Sequence, residues 1–248
     1  MIILKTPSEV PYLRKAGKIV AMTLQELEKY IRPGVTTGEL NKIADDFIRR
    51  SGARPAFLGY HGFPGSICTS VNNEVVHGIP GERKLKSGDI ISIDVGAIYE
   101  GYCGDAAATF PVGEISPEVQ HLLEVTKKAL YLGIEQAVPG NRIGDISAAI
   151  QTFVEANGYS VVRDFVGHGI GRNMHEDPQV PNFGKPGHGP RIRPGLAIAI
   201  EPMVNMGTHE VMVLTDGWTV VTRDGSLSAH FEHSVLVTKG QPEILTAL

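Results

Sequence analysis

The chain carries an internal repeat, and this limits its fold more than any other feature. Residues 32–53, RPGVTTGELNKIADDFIRRSGA, lie over residues 138–159, VPGNRIGDISAAIQTFVEANGY, at an offset of 106. Pro33, Gly34, Gly38, Leu40, Phe47 and Gly52 meet Pro139, Gly140, Gly144, Ile146, Phe153 and Gly158, and Glu39 meets Asp145. Each copy reads as a Pro-Gly turn, a polar helix start, apolar residues at three- and four-residue steps, and a glycine stop. At an offset of 107 the match continues: KSGDIISID (Lys86 to Asp94) lies over RPGLAIAIE (Arg193 to Glu201), and the His-Gly pair at His61 over that at His168. Three matches in one order imply a duplication. The chain reads as one domain, 1–248, made of two related halves, about 1–115 and 116–248, sharing one core.

Long helices are expected at about 8–31 and 117–137, each ahead of a Pro-Gly turn. After the second helix of each half the pattern turns to β-branched runs broken by Gly and Asp-Gly: SICTSV, DIISIDVGAIYEG, DAAATFPVG, LAIAIEPMV and the stretch from Glu210 to Thr238. This describes an α+β fold around a central antiparallel sheet. A chain of 248 residues buries about three quarters of its unfolded surface. It has no stretch of apolar residues long enough to span a bilayer. The N-terminal segment MIILKTPSEVPYL lacks the features of a signal peptide, so a cytoplasmic location is expected. Cys68 and Cys103 are too few and too far apart for a disulfide framework or a zinc knuckle, and read as buried small apolar residues. The net charge of -4 is spread without blocks, and the short basic run GERKLKSG reads as a solvated loop, which disfavours nucleic acid as a main partner.

The acids are the chemically informative residues. Asp94 and Asp105 stand eleven apart in IDVGAIYEGYCGD. A hairpin turning near Tyr99 and Glu100 makes their carboxylates cross-strand neighbours about 5 Å apart. So close, they must share a proton or hold a cation; alternatively they fall on opposite faces. Glu201, the repeat copy of Asp94, ends the run LAIAIE, so closure of the two halves brings these acids together. Glu232 interrupts the apolar run SAHFEHSVLV, where an inward carboxylate is costly unless paired or metal-bound. Four carboxylates and one imidazole suit two divalent ions and favour Mn, Fe or Co, with Zn admissible.

Of the nine histidines, His121, His188, His209, His230 and His233 read as surface or satisfied core residues. His168 differs because Gly167 and Gly169 flank it and let backbone crowd close. Its segment, FVGHGIGRNMHEDP, is no dinucleotide fingerprint, since Arg172 stands where the third glycine is required. An HExxH zinc motif is absent as well.

The ordered set Asp94, Asp105, His168, Glu201 and Glu232 is embedded in SIDVGAIYEGYCGDAAATF, GHGIGRNMHEDP, IAIEPM and FEHSVLVT. In this it resembles the methionine aminopeptidases of the bacterial type I class over nearly the whole chain. The resemblance implies the pita-bread fold, a pseudo-twofold α+β catalytic domain, with these five residues binding two metal ions and His168 as the only imidazole ligand. It implies hydrolytic removal of the N-terminal initiator methionine from nascent proteins when the second residue is small. Water is activated by the two ions, and Glu201 is both ligand and general base. His175 is then a donor to the carbonyl oxygen, and His77 contacts the substrate backbone and helps the proton reach the leaving amine.

Methionine selectivity is implied for Phe57, Tyr60, Phe63, Cys68, Met174 and Trp218, with His61 beside them as a substrate-binding residue. Phe57 stands where the family usually has Cys, Phe63 where it has Tyr, and Met174 where it has Phe; all keep the pocket apolar. The implied partners are the N-termini of newly made proteins, with the ribosome a candidate, and the implied state is a monomer without membrane binding. Two other readings are an Xaa-Pro peptidase of the same fold and a non-catalytic pita-bread protein. The first usually carries an extra N-terminal domain. The second typically loses metal ligands, and all five are present here.

Overall fold

A computed structural model describes residues 1–247. Helices α1 (Val10–Glu28) and α2 (Thr37–Arg50) are matched in length by α3 (Pro117–Glu135) and α4 (Ile143–Ala156), at 19 and 14 residues in each pair. The second helices begin at the repeated motif. Thr36 caps α2: its hydroxyl accepts from the Glu39 backbone N–H at 3.1 Å, and Glu39 accepts from the Thr36 N–H at 2.7 Å. Arg142 occupies the corresponding position before α4 and has no acceptor to offer, so only the return bond from its N–H to Asp145, 2.7 Å, is made.

Strands β1 (Arg54–Pro55), β2 (Ile67–Val71), β3 (Glu74–Val76), β4 (Ile90–Tyr99) and β5 (Tyr102–Pro111) lie between α2 and α3. After α4 come β6 (Ser160–Val161), β7 (Gly167–Gly169), β8 (Glu176–Val180), β9 (Ala197–Ile200), β10 (Met203–Asn205) and β11 (Val211–Val213). The chain ends through β12 (Val220–Thr222), β13 (Ser228–His230), β14 (His233–Leu236) and β15 (Glu243–Ile244). All pairings among the described residues are antiparallel. The ladders form four pieces: β1-β4-β2 with β5 on β4, β13-β10-β6, β11-β12-β3, and β15-β14-β9-β7-β8. The structure is thus α+β as expected, with the central sheet divided.

The helices cover the strands from outside. Ile19, Val20 and Leu27 of α1 and Leu40, Ala44 and Ile48 of α2 pack with Ile67, Ile91, Ile93 and Val95. Leu122, Leu130, Ile134, Ile146 and Ile150 of α3 and α4 pack with Ile198, Ile200, Val204 and Ala229. Fully burying each aliphatic side chain of this kind contributes about 1.5–3 kcal/mol before conformational entropy is charged.

Two features join the halves around the site. β3 pairs with β12 from the other half. Where β5 runs beside residues 230–234 side-chain hydroxyls make the cross-links. The Thr109 hydroxyl accepts from the His230 N–H and donates to the His230 carbonyl, both at 2.9 Å. The Ser234 hydroxyl accepts from the Asp105 N–H at 3.1 Å and donates to its carbonyl at 2.7 Å.

The β4–β5 hairpin corrects one expectation. Tyr99 pairs with Tyr102, so the turn is Glu100–Gly101, and Asp94 faces Ala107 while Asp105 faces Gly96. The two aspartates are diagonal neighbours on one face and not directly opposed. The cause is a two-residue turn with positive φ at both positions, 49° at Glu100 and 81° at Gly101, which matches the twist of the strands it joins. Asp94 also lies in mid-strand, not at a strand end.

Candidate metal centre and substrate pocket

Four strands or strand ends deliver the acids to one point. Asp94 comes from β4, Asp105 from β5, Glu201 directly follows β9, and Glu232 sits in the break between β13 and β14. The backbone around them is tied down: the Glu232 N–H donates to the Ala107 carbonyl at 2.9 Å, and the Asn182 amide donates to the Glu201 carbonyl at 3.0 Å.

His168 enters from β7, packed between β8 and β9. A Cβ on Gly167 would lie 2.3 Å from the Ala199 carbonyl oxygen, and one on Gly169 2.2 Å from that of Asp177, so the flanking glycines admit the neighbouring strands. The His168 Nδ1 lies 2.8 Å from the Gly169 carbonyl oxygen. A carbonyl can only accept, so Nδ1 carries the proton and the Nε2 lone pair is free. That Nε2 faces Glu201 Oε1 at 3.5 Å and Asp105 Oδ2 at 3.7 Å.

Burial pushes the Asp94 carboxyl up to about 7 and the Glu201 carboxyl up to about 8. Burial, reinforced by the neighbouring acids, lifts Asp105 and Glu232 well above the usual carboxylate range. The imidazoles move the opposite way: burial lowers His168 and His77 to about 4 and lowers His175. The centre therefore offers neutral imidazole and acids whose charge lacks compensation from the protein. Asp94 Oδ1, Asp105 Oδ1 and Glu232 Oε1 are buried and accept no hydrogen bond. Orphaned oxygens converging with one free imidazole lone pair fit a divalent-cation site, and Asp105, His168 and Glu232 place ligand atoms within 4.8 Å of one another.

A cavity of about 410 Å³ opens onto these acids. Phe57, Tyr60, Phe63, Cys68 and Trp218 form its apolar side, and His61, His77 and His175 line it as well. The Phe63 and Trp218 rings meet edge to face at 5.1 Å. Tyr60 contacts the His61 ring at 4.4 Å and reaches His175 Nδ1 with its hydroxyl at 2.8 Å. His77 adopts φ 58°, uncommon for a residue with a side chain, and its ring meets Phe165 edge-on. Of the residues expected at the site, Met174 alone does not line this cavity. It is buried one layer behind, in a cluster with Phe57, Phe63 and Cys68. His61, despite matching His168 in the repeat, stays exposed at the cavity mouth.

The expectation for His230 is corrected here. It is neither surface nor satisfied core: it is buried, with its Nε2 unpartnered, 3.6 Å from Glu201 Oε2. A signal was present, because residues two apart in an extended segment share a face. An inward Glu232 carries His230 and Ser234 inward with it.

Fold and cavity together point to a metallohydrolase: an α+β protein that couples an apolar pocket to a buried acid and imidazole cluster suited to divalent metal. The model for metallopeptidase family M24 matches residues 11–239. Methionine aminopeptidase 1 of Bacillus subtilis is 57% identical over 246 residues, covering 99% of each chain. The crystal structure of a methionine aminopeptidase from Thermotoga maritima superposes with a TM-score of 0.98 at 49% identity, covering 100% of both chains. A prolidase from Pyrococcus furiosus, 22% identical, superposes at 0.82 over 99% of this chain and 66% of its own, and shares the pita-bread fold. The chain belongs to metallopeptidase family M24 and, within it, to the methionine aminopeptidases of the bacterial type I class.

Proposed function

We propose that the chain, as a single catalytic domain built from both halves, removes the initiator methionine from newly made proteins whose second residue is small. The observation that carries this is the continuity of the cavity, in which an apolar wall of Phe57, Tyr60, Phe63, Cys68 and Trp218 runs up to the acid cluster. Asp94, Asp105, His168, Glu201 and Glu232 would hold two divalent ions, with Mn, Fe or Co favoured by the oxygen-rich set and Zn admissible. When bound, the ions polarise the scissile carbonyl and bring the pKa of a water close to neutral.

The chain's own groups do the rest. Phe57, Tyr60, Phe63, Cys68 and Trp218 take up the thioether side chain, with His61 at the mouth and Met174 supporting Phe57 from behind. Glu201 accepts the proton of the attacking water. With the Tyr60 hydroxyl, 2.8 Å away, as donor to His175 Nδ1, the imidazole proton stands on Nε2, ready for the carbonyl oxygen as negative charge develops there. His77, kept neutral by burial, faces the substrate backbone and assists protonation of the leaving amine. The setting we propose is cytoplasmic, with the enzyme a monomer meeting nascent chains at or near the ribosome. Among the described residues no helix is long and apolar enough to cross a membrane.

The test is hydrolysis of Met-Ala-Ser beside Xaa-Pro peptides. Methionine release from Met-Ala-Ser is expected in the wild type, and its loss in Asp94→Asn and His168→Ala. Cleavage of Xaa-Pro peptides alone, or full activity in both variants, refutes the reading.

A further inference from the structure

His230 holds an arrangement that the five-ligand reading leaves unused. Its backbone is clamped on both sides by Thr109, whose hydroxyl also meets Ser92 at 2.8 Å, so the ring enters the centre from a fixed position. The residue is 1% exposed, and its Nε2 is buried without a hydrogen-bond partner. Leaving such an atom unsatisfied is costly, and a structure keeps it only with a reason.

Its neighbours are acids. Nε2 lies 3.6 Å from Glu201 Oε2 and 3.9 Å from Glu232 Oε2, too far for hydrogen bonds. These spacings repeat those around His168, whose Nε2 stands 3.5 Å from Glu201 Oε1 and 3.7 Å from Asp105 Oδ2. Atoms that each sit about 2.0–2.2 Å from one ion lie roughly 3–4 Å from each other. The Glu201 carboxylate is therefore placed between two imidazoles, Oε1 toward His168 and Oε2 toward His230. Ligand atoms of Glu201, His230 and Glu232 all fall within 4.8 Å of one another, a second group beside that of Asp105, His168 and Glu232.

We infer that His230 is a sixth ligand of the metal centre, binding through Nε2 on the Oε2 side of Glu201, so that the site carries two imidazoles instead of one. The inference rests on the metal-centre reading above and adds a residue to it. An imidazole strengthens the hold on an ion without adding to the four crowded carboxylates. It also moves the donor set toward metals that accept nitrogen.

The test uses cobalt(II) and needs no turnover. Proton NMR of the cobalt-loaded wild type should show two strongly shifted, solvent-exchangeable imidazole N–H signals, and His230→Gln only one. Calorimetric titration of metal-free protein with cobalt(II) should show one ion bound at least about 10-fold more weakly in His230→Gln and His230→Ala. A single shifted imidazole signal in the wild type overturns the inference, as does wild-type affinity for both ions in the two variants. The wild-type spectrum decides even if a variant misfolds. Failure of the underlying reading looks different, since His168→Ala would then bind cobalt as the wild type does.

Discussion

The Tyr60 hydroxyl lies 2.8 Å from His175 Nδ1, and the two rings stack with centroids 5.5 Å apart. One contact thus fixes the orientation of the imidazole, and with the hydroxyl as its donor it leaves Nε2 as the nitrogen that donates to substrate. Tyr60→Phe keeps the ring that walls the pocket and removes only this bond, worth about 0.5–1.5 kcal/mol. A fall in kcat of about 2- to 10-fold on Met-Ala-Ser is expected, with KM little changed. His175→Ala should cost about 100- to 1000-fold. In that background Tyr60→Phe should add nothing, which steady-state kinetics of the double variant will show.

Gly96 sits opposite Asp105 in the hairpin and behind the pocket wall. A Cβ there would lie 2.7 Å from Phe57 Cε1 and 2.9 Å from Met174 Cε. These side chains must shift, and any shift of Phe57 toward the cavity it lines narrows that cavity. Overpacking of this kind costs about 1–3 kcal/mol. Gly96→Ala is therefore expected to lower stability by about 1–3 kcal/mol and to lower kcat/KM on methionyl peptides, while metal content by elemental analysis stays at the wild-type level. Adding Met174→Ala should recover part of the loss by giving Phe57 room to retreat.

What could be read from the sequence and what could not divides on physical grounds. Helix positions followed from periodicity and the repeated turns: 8–31 and 117–137 were expected, against Val10–Glu28 and Pro117–Glu135. The convergence of Asp94 with Glu201 followed from the duplication. The hairpin register did not, because the turn needs a glutamate at positive φ, and nothing in the residue type of Glu100 announces that. Met174 lies in an irregular segment where spacing does not determine direction, so its place behind Phe57 required the structure. His230 was legible in principle from its two-residue spacing to Glu232, but Glu201, just after β9, and the clamping Thr109 of β5 lie far away along the chain.

Stability of the metal-free protein should depend on pH in a definite direction. Asp94 and Glu201, raised by burial to about 7 and 8, bind protons in the native state that the unfolded chain has released, so their contribution to stability falls as pH rises toward those values. His77 and His168, lowered to about 4, act oppositely, adding stability as pH rises from about 4 to 6.5. The two effects oppose each other below 6.5. Above it only the acids act, each with a slope of up to about 1.4 kcal/mol per pH unit while it stays protonated. Thermal melts of metal-free protein should therefore show Tm falling between pH 6.5 and 8. Added manganese or cobalt, which binds the deprotonated acids, should reverse the fall. Glu201→Gln should flatten the metal-free profile.

Lys5 and Glu176 form an ion pair at 2.5 Å, with side chains only 3% and 6% exposed. The other Glu176 oxygen accepts from the Asn173 N–H at 3.2 Å, so the pair anchors the segment that presents Met174 and His175. Removing one partner from a buried pair leaves an uncompensated charge and costs about 3–5 kcal/mol. For a chain of this size that amounts to a drop in Tm of roughly 6–20 °C for Lys5→Met. Activity measured well below that Tm should fall through kcat, because the His175 segment loses its tether while the ligand strands are untouched. The double variant Lys5→Met/Glu176→Gln, which removes the stranded charge, should regain stability relative to Lys5→Met but not the lost kcat. Equal melting temperatures for the single and double variants would show that the stranded Glu176 charge is not what destabilises Lys5→Met.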